Sequence, residues 1–127
     1  MAELSKGAAS KRRVVVVDDE HVIASTLALI LNNAGFEAKP AFCGEEAVSL
    51  IENFPPDVLI ADVIMPGMSG IDVAILVRNS LPECRILLFS GQAATSDMLE
   101  LSKTQGHEFE ILAKPVHPTG LLERLCV

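Results

Sequence analysis

The sequence predicts an α/β fold, a five-stranded parallel sheet doubly wound with helices on both faces. Three observations predict it. Three short runs, Val14-Val15-Val16-Val17, Val58-Leu59-Ile60-Ala61 and Ile86-Leu87-Leu88-Phe89, are apolar without the polar alternation of a half-exposed strand. Such runs belong to parallel strands covered above and below. Helical periodicities fall between them, so strands and helices alternate at spacings that suit right-handed crossovers. The chain has 127 residues, 50% of them apolar, with a mean hydropathy of +0.39, which gives one domain a real core. With five Phe and neither Trp nor Tyr, that core must be aliphatic.

Each element has its own signal. Residues 1–12 are Ala, Ser, Gly, Lys and Glu with little period and read as a mobile arm before a domain at 13–127. After the strand at 14–17, Ile23, Leu27, Ile30, Leu31 and Ala34 line one helical face, and Gly35 stops the helix. A weaker strand fits 37–42. Ala47, Ile51 and Phe54 mark a second helix that Pro55-Pro56 terminates. The strand at 58–61 leads to a helix at 70–81 that is apolar nearly all round, through Ile71, Val73, Ala74, Ile75, Leu76 and Val77. Either neighbouring residues shade its outer side or it meets a partner. After the strand at 86–89 come a fourth helix at 95–105, a weaker strand at 108–112 and a last helix following Pro118.

Charge and cysteine usage narrow the function classes. Ten Lys+Arg against 17 Asp+Glu leave a net charge of −7. A surface of that sign repels phosphate backbones and anionic lipid, so neither nucleic acid nor membrane is an expected partner. Cys43, Cys84 and Cys126 form no CxxC and no even framework, and no apolar run approaches a membrane span. His21, His107 and His117 are scattered, with no zinc spacing. A soluble, cytoplasmic protein is expected.

In open α/β sheets the functional crevice lies beyond the carboxyl ends of the strands. That rule puts Asp18, Asp19, Asp62 and Ser90 on one rim, with Lys114 just past the fifth strand. Three converging carboxylates would repel one another, and a hard divalent cation resolves the conflict. Mg²⁺ takes one or two carboxylates, several waters and a phosphate oxygen, so this constellation reads as a Mg²⁺-dependent phosphoryl site.

These residues, in this order, resemble the receiver domains of two-component response regulators. The resemblance spans residues 13–125 and rests on Val-Val-Asp18-Asp19-Glu20, on Asp62-Val-Ile-Met-Pro66-Gly-Met-Ser-Gly70, on Ser90-Gly91 and on Lys114-Pro115. It implies a flavodoxin-like sheet of strand order 2-1-3-4-5. It also implies that Asp62 accepts a phosphoryl group from a histidine kinase or phosphotransfer protein. Asp19, Asp62 and the backbone carbonyl of Ile64 would hold Mg²⁺, with Asp18 acting through a water. Ser90 and Lys114 would stabilise the phosphoryl oxygens, Gly91 would keep the mouth open, and Lys114-Pro115 would be a cis peptide. Such a domain is no enzyme beyond its own phosphorylation and dephosphorylation. It would switch contacts with an output protein or a second copy through the face of the fourth helix, fifth strand and fifth helix. One position departs from the pattern: three residues before the lysine, where receivers carry Tyr or Phe, stands Ile111. Phe109, two residues earlier, is on the same face of an ideal strand and could substitute. The residues after Lys114 have room for one short helix.

Three other readings fit less well. A dehalogenase-type phosphatase also uses a nucleophilic Asp with Mg²⁺, but carries a second acid two residues on, where Ile64 stands. A nucleotide-binding domain wants a Gly-rich loop after the first strand, where Asp18-Asp19 follows Val17. A receiver fold kept only as a constitutive contact module usually loses the acceptor, the acids or the lysine, and all are present. The Asp pair could serve merely as N-cap and first-turn acid of the next helix, which would leave Asp62 and Lys114 unexplained.

Overall fold

The computed structural model describes residues 11–91, 100, 109–113 and 117–125. Five parallel strands, β1 (Arg13–Val17), β2 (Glu37–Ala41), β3 (Val58–Asp62), β4 (Arg85–Ser90) and β5 (Glu110–Ala113), form one sheet in the order β2-β1-β3-β4-β5. Four helices are described: α1 (His21–Asn33), α2 (Gly44–Asn53), α3 (Gly70–Ser80) and α4 (Pro118–Leu125). Of the helix expected at 95–105 only Glu100 is described, and it is helical; residues 1–10 and Cys126 lie outside the described residues.

The continuous apolar runs are buried on both faces. Val15, Val17, Leu59, Ala61, Ile86 and Leu88 face α2 and α3, while Val14, Val16, Val58, Ile60, Leu87 and Phe89 face α1 and α4. The α1 stop follows the Schellman pattern, with Phe36 N–H donating to Leu31 C=O at 3.1 Å and Gly35 at φ +102°. Ser69 and Asp72 close a reciprocal capping box on α3, at 3.1 and 3.2 Å. The apolar girth of α3 has a mostly internal explanation. Ile71, Val73, Ala74 and Val77 are buried against the sheet and α2, and Leu76 alone among its large side chains is well exposed.

Two expectations need correction. The weak last strand begins at Glu110, two residues later than its sequence suggested, because its register follows β4, with Leu87 opposite Glu110 and Ser90 opposite Ala113. Phe109 therefore precedes the strand, yet it lies on the same side of the sheet as Ile111, the side of its β4 partner Leu88. Its ring packs against the α2–α3 side of the core with Arg78 above it, 5.6 Å from the ring centre. Nor do Asp18 and Asp19 cap α1. Glu20 is the N-cap, without a side-chain bond, and the first turn holds no acid.

A charged clasp ties α4 to the sheet. Arg85 bonds Glu110 through two nitrogens, at 2.8 and 3.0 Å, and donates to the Arg124 carbonyl at 2.7 Å. Arg12 donates to the Leu125 carbonyl at 2.9 Å. The hydrogen bond from Arg85 holds the Glu110 carboxyl below its ordinary value of 4.5. A lowered folded-state value means the stabilisation is complete above pH 4.5 and fades as pH falls through that lowered value. Both side chains are partly solvated, so the effect is expected to stay under about 1 kcal/mol. Denaturant midpoints on both sides of that pH should show Glu110→Gln losing this acid-dependent component. An identical acid profile in both proteins would contradict it.

Candidate functional site at the carboxyl edge of the sheet

The register builds the site. Val17 lies opposite Ala61, so Asp18 and Asp62 emerge side by side where β1 and β3 end. Asp62 lies opposite Phe89, which brings Ser90 one residue further along the same edge. The chain enters Lys114 directly from Ala113, the β5 partner of Ser90. Lys114 and Pro115, with the expected cis peptide, lie outside the described residues.

Asp18, Asp19 and Asp62 converge, each offering one carboxylate oxygen within 4.8 Å of the other two. Asp18 and Asp62 are buried and Asp19 is exposed, so the cluster has a sealed floor and an open side. Asp18 is oriented locally, its Oδ1 accepting the Glu20 N–H at 3.0 Å, and its Oδ2 is buried. Its own N–H donates to the Ala41 carbonyl at 3.1 Å, which ties it to the end of β2. Three oxygen donors at this separation suit a hard cation. A soft or imidazole-seeking metal would find neither sulfur nor nitrogen among them.

The residues after Asp62 form a tight return into α3. Met65 is buried, Gly67 takes φ +76°, a left-handed turn that favours glycine, and Gly70 N–H donates to the Val63 carbonyl at 3.0 Å. Ile64 is 40% exposed at the mouth. Ser90 is half-buried and Gly91 exposed, at the end of β4. Ile111 is 37% exposed on β5.

Sequence reasoning missed two contacts. A Cβ on Gly70 would lie 2.1 Å from the Asp62 carbonyl oxygen, so α3 is seated directly on the backbone of that residue. A Cβ on Gly44, the first residue of α2, would lie 2.7 Å from Met68 Cβ. A glycine opening a helix just after a turn is the available signal, but it does not name the partner. His21 also stacks on Phe42 beside the site, with ring centres 4.1 Å apart.

The comparisons with known proteins agree with this geometry. The family model of the response regulator receiver domain matches residues 14–126. The chain belongs to the response regulator receiver family. Receiver domains accept phosphoryl groups in two-component signalling, and this chain has their fold and strand order. Chemotaxis protein CheY of Thermotoga maritima is 31% identical over 115 residues, covering 90% of this chain and 94% of that protein. The DNA-binding response regulator MtrA of Mycobacterium tuberculosis is 29% identical over 117 residues, covering 91% of this chain and 49% of that protein. The chain thus spans about half the length of the first curated relatives it matches. Among solved structures, the receiver resembles CheY4 of Vibrio cholerae with a TM-score of 0.79 and 28% identity, covering 92% of this chain and 98% of that one. A CheY-like receiver from Methanospirillum hungatei gives 0.81 and 25%, covering 92% of each. No helix among the described residues is long and apolar enough to cross a membrane.

Proposed function

We propose that this receiver domain is phosphorylated on Asp62 by a phosphohistidine donor, a histidine kinase or phosphotransfer protein, and that the modified form changes its protein contacts. The convergence of three carboxylates within 4.8 Å at the carboxyl edge of the sheet is the observation that carries this reading. Asp62 has the acceptor's place because it ends a central strand, with Asp18 on one side and Ser90 on the other. Its carboxylate oxygen attacks phosphorus as the phosphorus–nitrogen bond breaks, and the electron pair stays on the donor imidazole. Ser90 donates its hydroxyl proton to a phosphoryl oxygen, and Lys114 offsets the charge of another.

The cation we assign is Mg²⁺, with Asp19, Asp62 and the Ile64 carbonyl as ligands and Asp18 acting through water. When bound it neutralises charge on the transferring phosphoryl group. The domain's chemistry is then confined to gaining and losing its own phosphoryl group, and its output contact is with protein, an effector or a second copy. Ile111 is β-branched, stiff at χ1, and offers no ring to swing between exposed and buried states. The signal is therefore proposed to leave through Ser90 and the neighbouring backbone, without an aromatic rotamer switch.

Mass spectrometry after incubation with acetyl phosphate and Mg²⁺ tests the reading. One phosphoryl group per chain is expected, absent when EDTA removes the cation. Asp19→Asn should weaken Mg²⁺ binding more than Asp18→Asn, by calorimetric titration. Modification that persists in EDTA, or equal losses in the two variants, would refute the ligand assignment.

A further inference from the structure

The groove between α2 and α3 belongs to no part of the phosphoryl site. It encloses about 300 Å³ and is walled by Val48, Ile51, Pro55, Leu76, Val77 and Leu81. Leu76 presents a 42% exposed side chain there. A second cavity of about 280 Å³ continues it past Ser80 and Leu81 towards the sheet's amino edge. Among the described residues, the combined lining carries three acids, Glu52, Asp57 and Glu83, and no Lys or Arg. Arg78, on α3 itself, lies over Phe109 and does not line the groove.

These features select the occupant. Two helices with internally bonded backbones form the walls, so an extended peptide would find no ladder to join, whereas a helix satisfies its own backbone and fills such a groove with its apolar face. The acidic rim favours cations flanking that face. Both wall helices also start against the loop that follows Asp62. Gly70 leaves no room for a Cβ at the Asp62 carbonyl, and Gly44 leaves none at Met68. A shift of that loop must move one wall or both, because both contacts are already closed.

We propose that the α2–α3 groove docks a cationic amphipathic helix of a partner protein, and that its shape follows the state of the Asp62 loop. The coupling rests on the reading of Asp62 as the phosphoacceptor; the docking surface does not.

The test uses the full chain with labelled methyl groups and a synthetic Leu/Lys amphipathic helix of roughly four turns as the probe. A Leu/Glu peptide of the same pattern is the control. The Leu/Lys helix should shift the Leu76, Ile51 and Leu81 methyls first, and Leu76→Asp should weaken it by about tenfold or more. Glu52→Lys with Glu83→Lys should weaken it while folding is retained, and the Leu/Glu helix should leave the groove unchanged. Shifts centred on α1 or α4, or equal binding of the two peptides, would overturn the docking surface. So would groove shifts that grow with protein concentration alone, since a second copy would then be the occupant. Beryllofluoride with Mg²⁺ should change the peptide affinity by about fivefold. An unchanged affinity with a shifted Asp62 amide overturns the coupling alone, whereas an unresponsive Asp62 amide overturns the phosphoacceptor reading and the coupling with it.

Discussion

Gly70→Ala is expected to destabilise the domain by about 2–4 kcal/mol and to slow phosphorylation by acetyl phosphate at least about tenfold. In an ordinary helix the same change would help, by up to about 1 kcal/mol. Here the new Cβ would meet the Asp62–Val63 backbone, at 2.1 Å from the Asp62 oxygen, 2.8 Å from its carbonyl carbon and 3.1 Å from Val63 Cα. No side-chain rotation relieves such a clash, so α3 must lift and its bond from Gly70 N–H to the Val63 carbonyl must lengthen. The Asp62 peptide moves with it, which is why activity falls as well as stability. Gly120→Ala is the internal control. That glycine sits in α4 with nothing among the described residues within 4 Å of a Cβ, so the substitution should be neutral or stabilising. Thermal melts of both variants decide it, and a Gly70→Ala domain within about 0.5 kcal/mol of the parent would contradict the tight seating.

Asp18→Asn should act in the opposite direction on stability. Unit charges 4.8 Å apart repel by roughly 3 kcal/mol at an effective dielectric of about 20, and water around exposed Asp19 lowers that figure. Asparagine keeps an oxygen to accept the Glu20 N–H, so the local turn survives while one charge disappears. Without divalent cation the variant should be about 1–2 kcal/mol more stable at neutral pH, several degrees in melting temperature. Mg²⁺ should narrow or reverse the difference, because the parent, which binds the cation more tightly, gains more of its binding free energy, about 2.7 kcal/mol at one hundred times its Kd. Melts with and without Mg²⁺ measure both. A variant less stable than the parent in EDTA would mean that the three carboxylates carry no net repulsion.

Much of this was legible because it is written locally. β1, β3 and β4 are continuous apolar runs that no half-exposed element would carry; β3 and β4 end on Asp62 and Ser90, and β1 stops at Val17, just before Asp18. β2, Glu-Ala-Lys-Pro-Ala, is an edge strand with a proline, so its signal was weak, though its position was right. β5 slipped because Glu110-Ile-Leu-Ala has no clear alternation and takes its register from β4. The acidic cluster could be anticipated from three acids at strand ends, since parallel register puts those ends together. The seating of Gly70 on Asp62 and of Gly44 on Met68 could not, because both are tertiary distances between residues whose types state only that space is short. The exposure of Leu76 beside buried Val77 likewise depends on how α2 lies against α3, which periodicity does not specify.

The central claim is that Asp62 receives the phosphoryl group. Peptide mapping of the protein after reaction with acetyl phosphate and Mg²⁺, followed by reductive trapping of the acyl phosphate, tests it most directly. The label should fall on Asp62, and Asp62→Asn should take up none while retaining its folded melting transition. Label on Asp18 or Asp19, or an equal mass gain in Asp62→Asn, would contradict it.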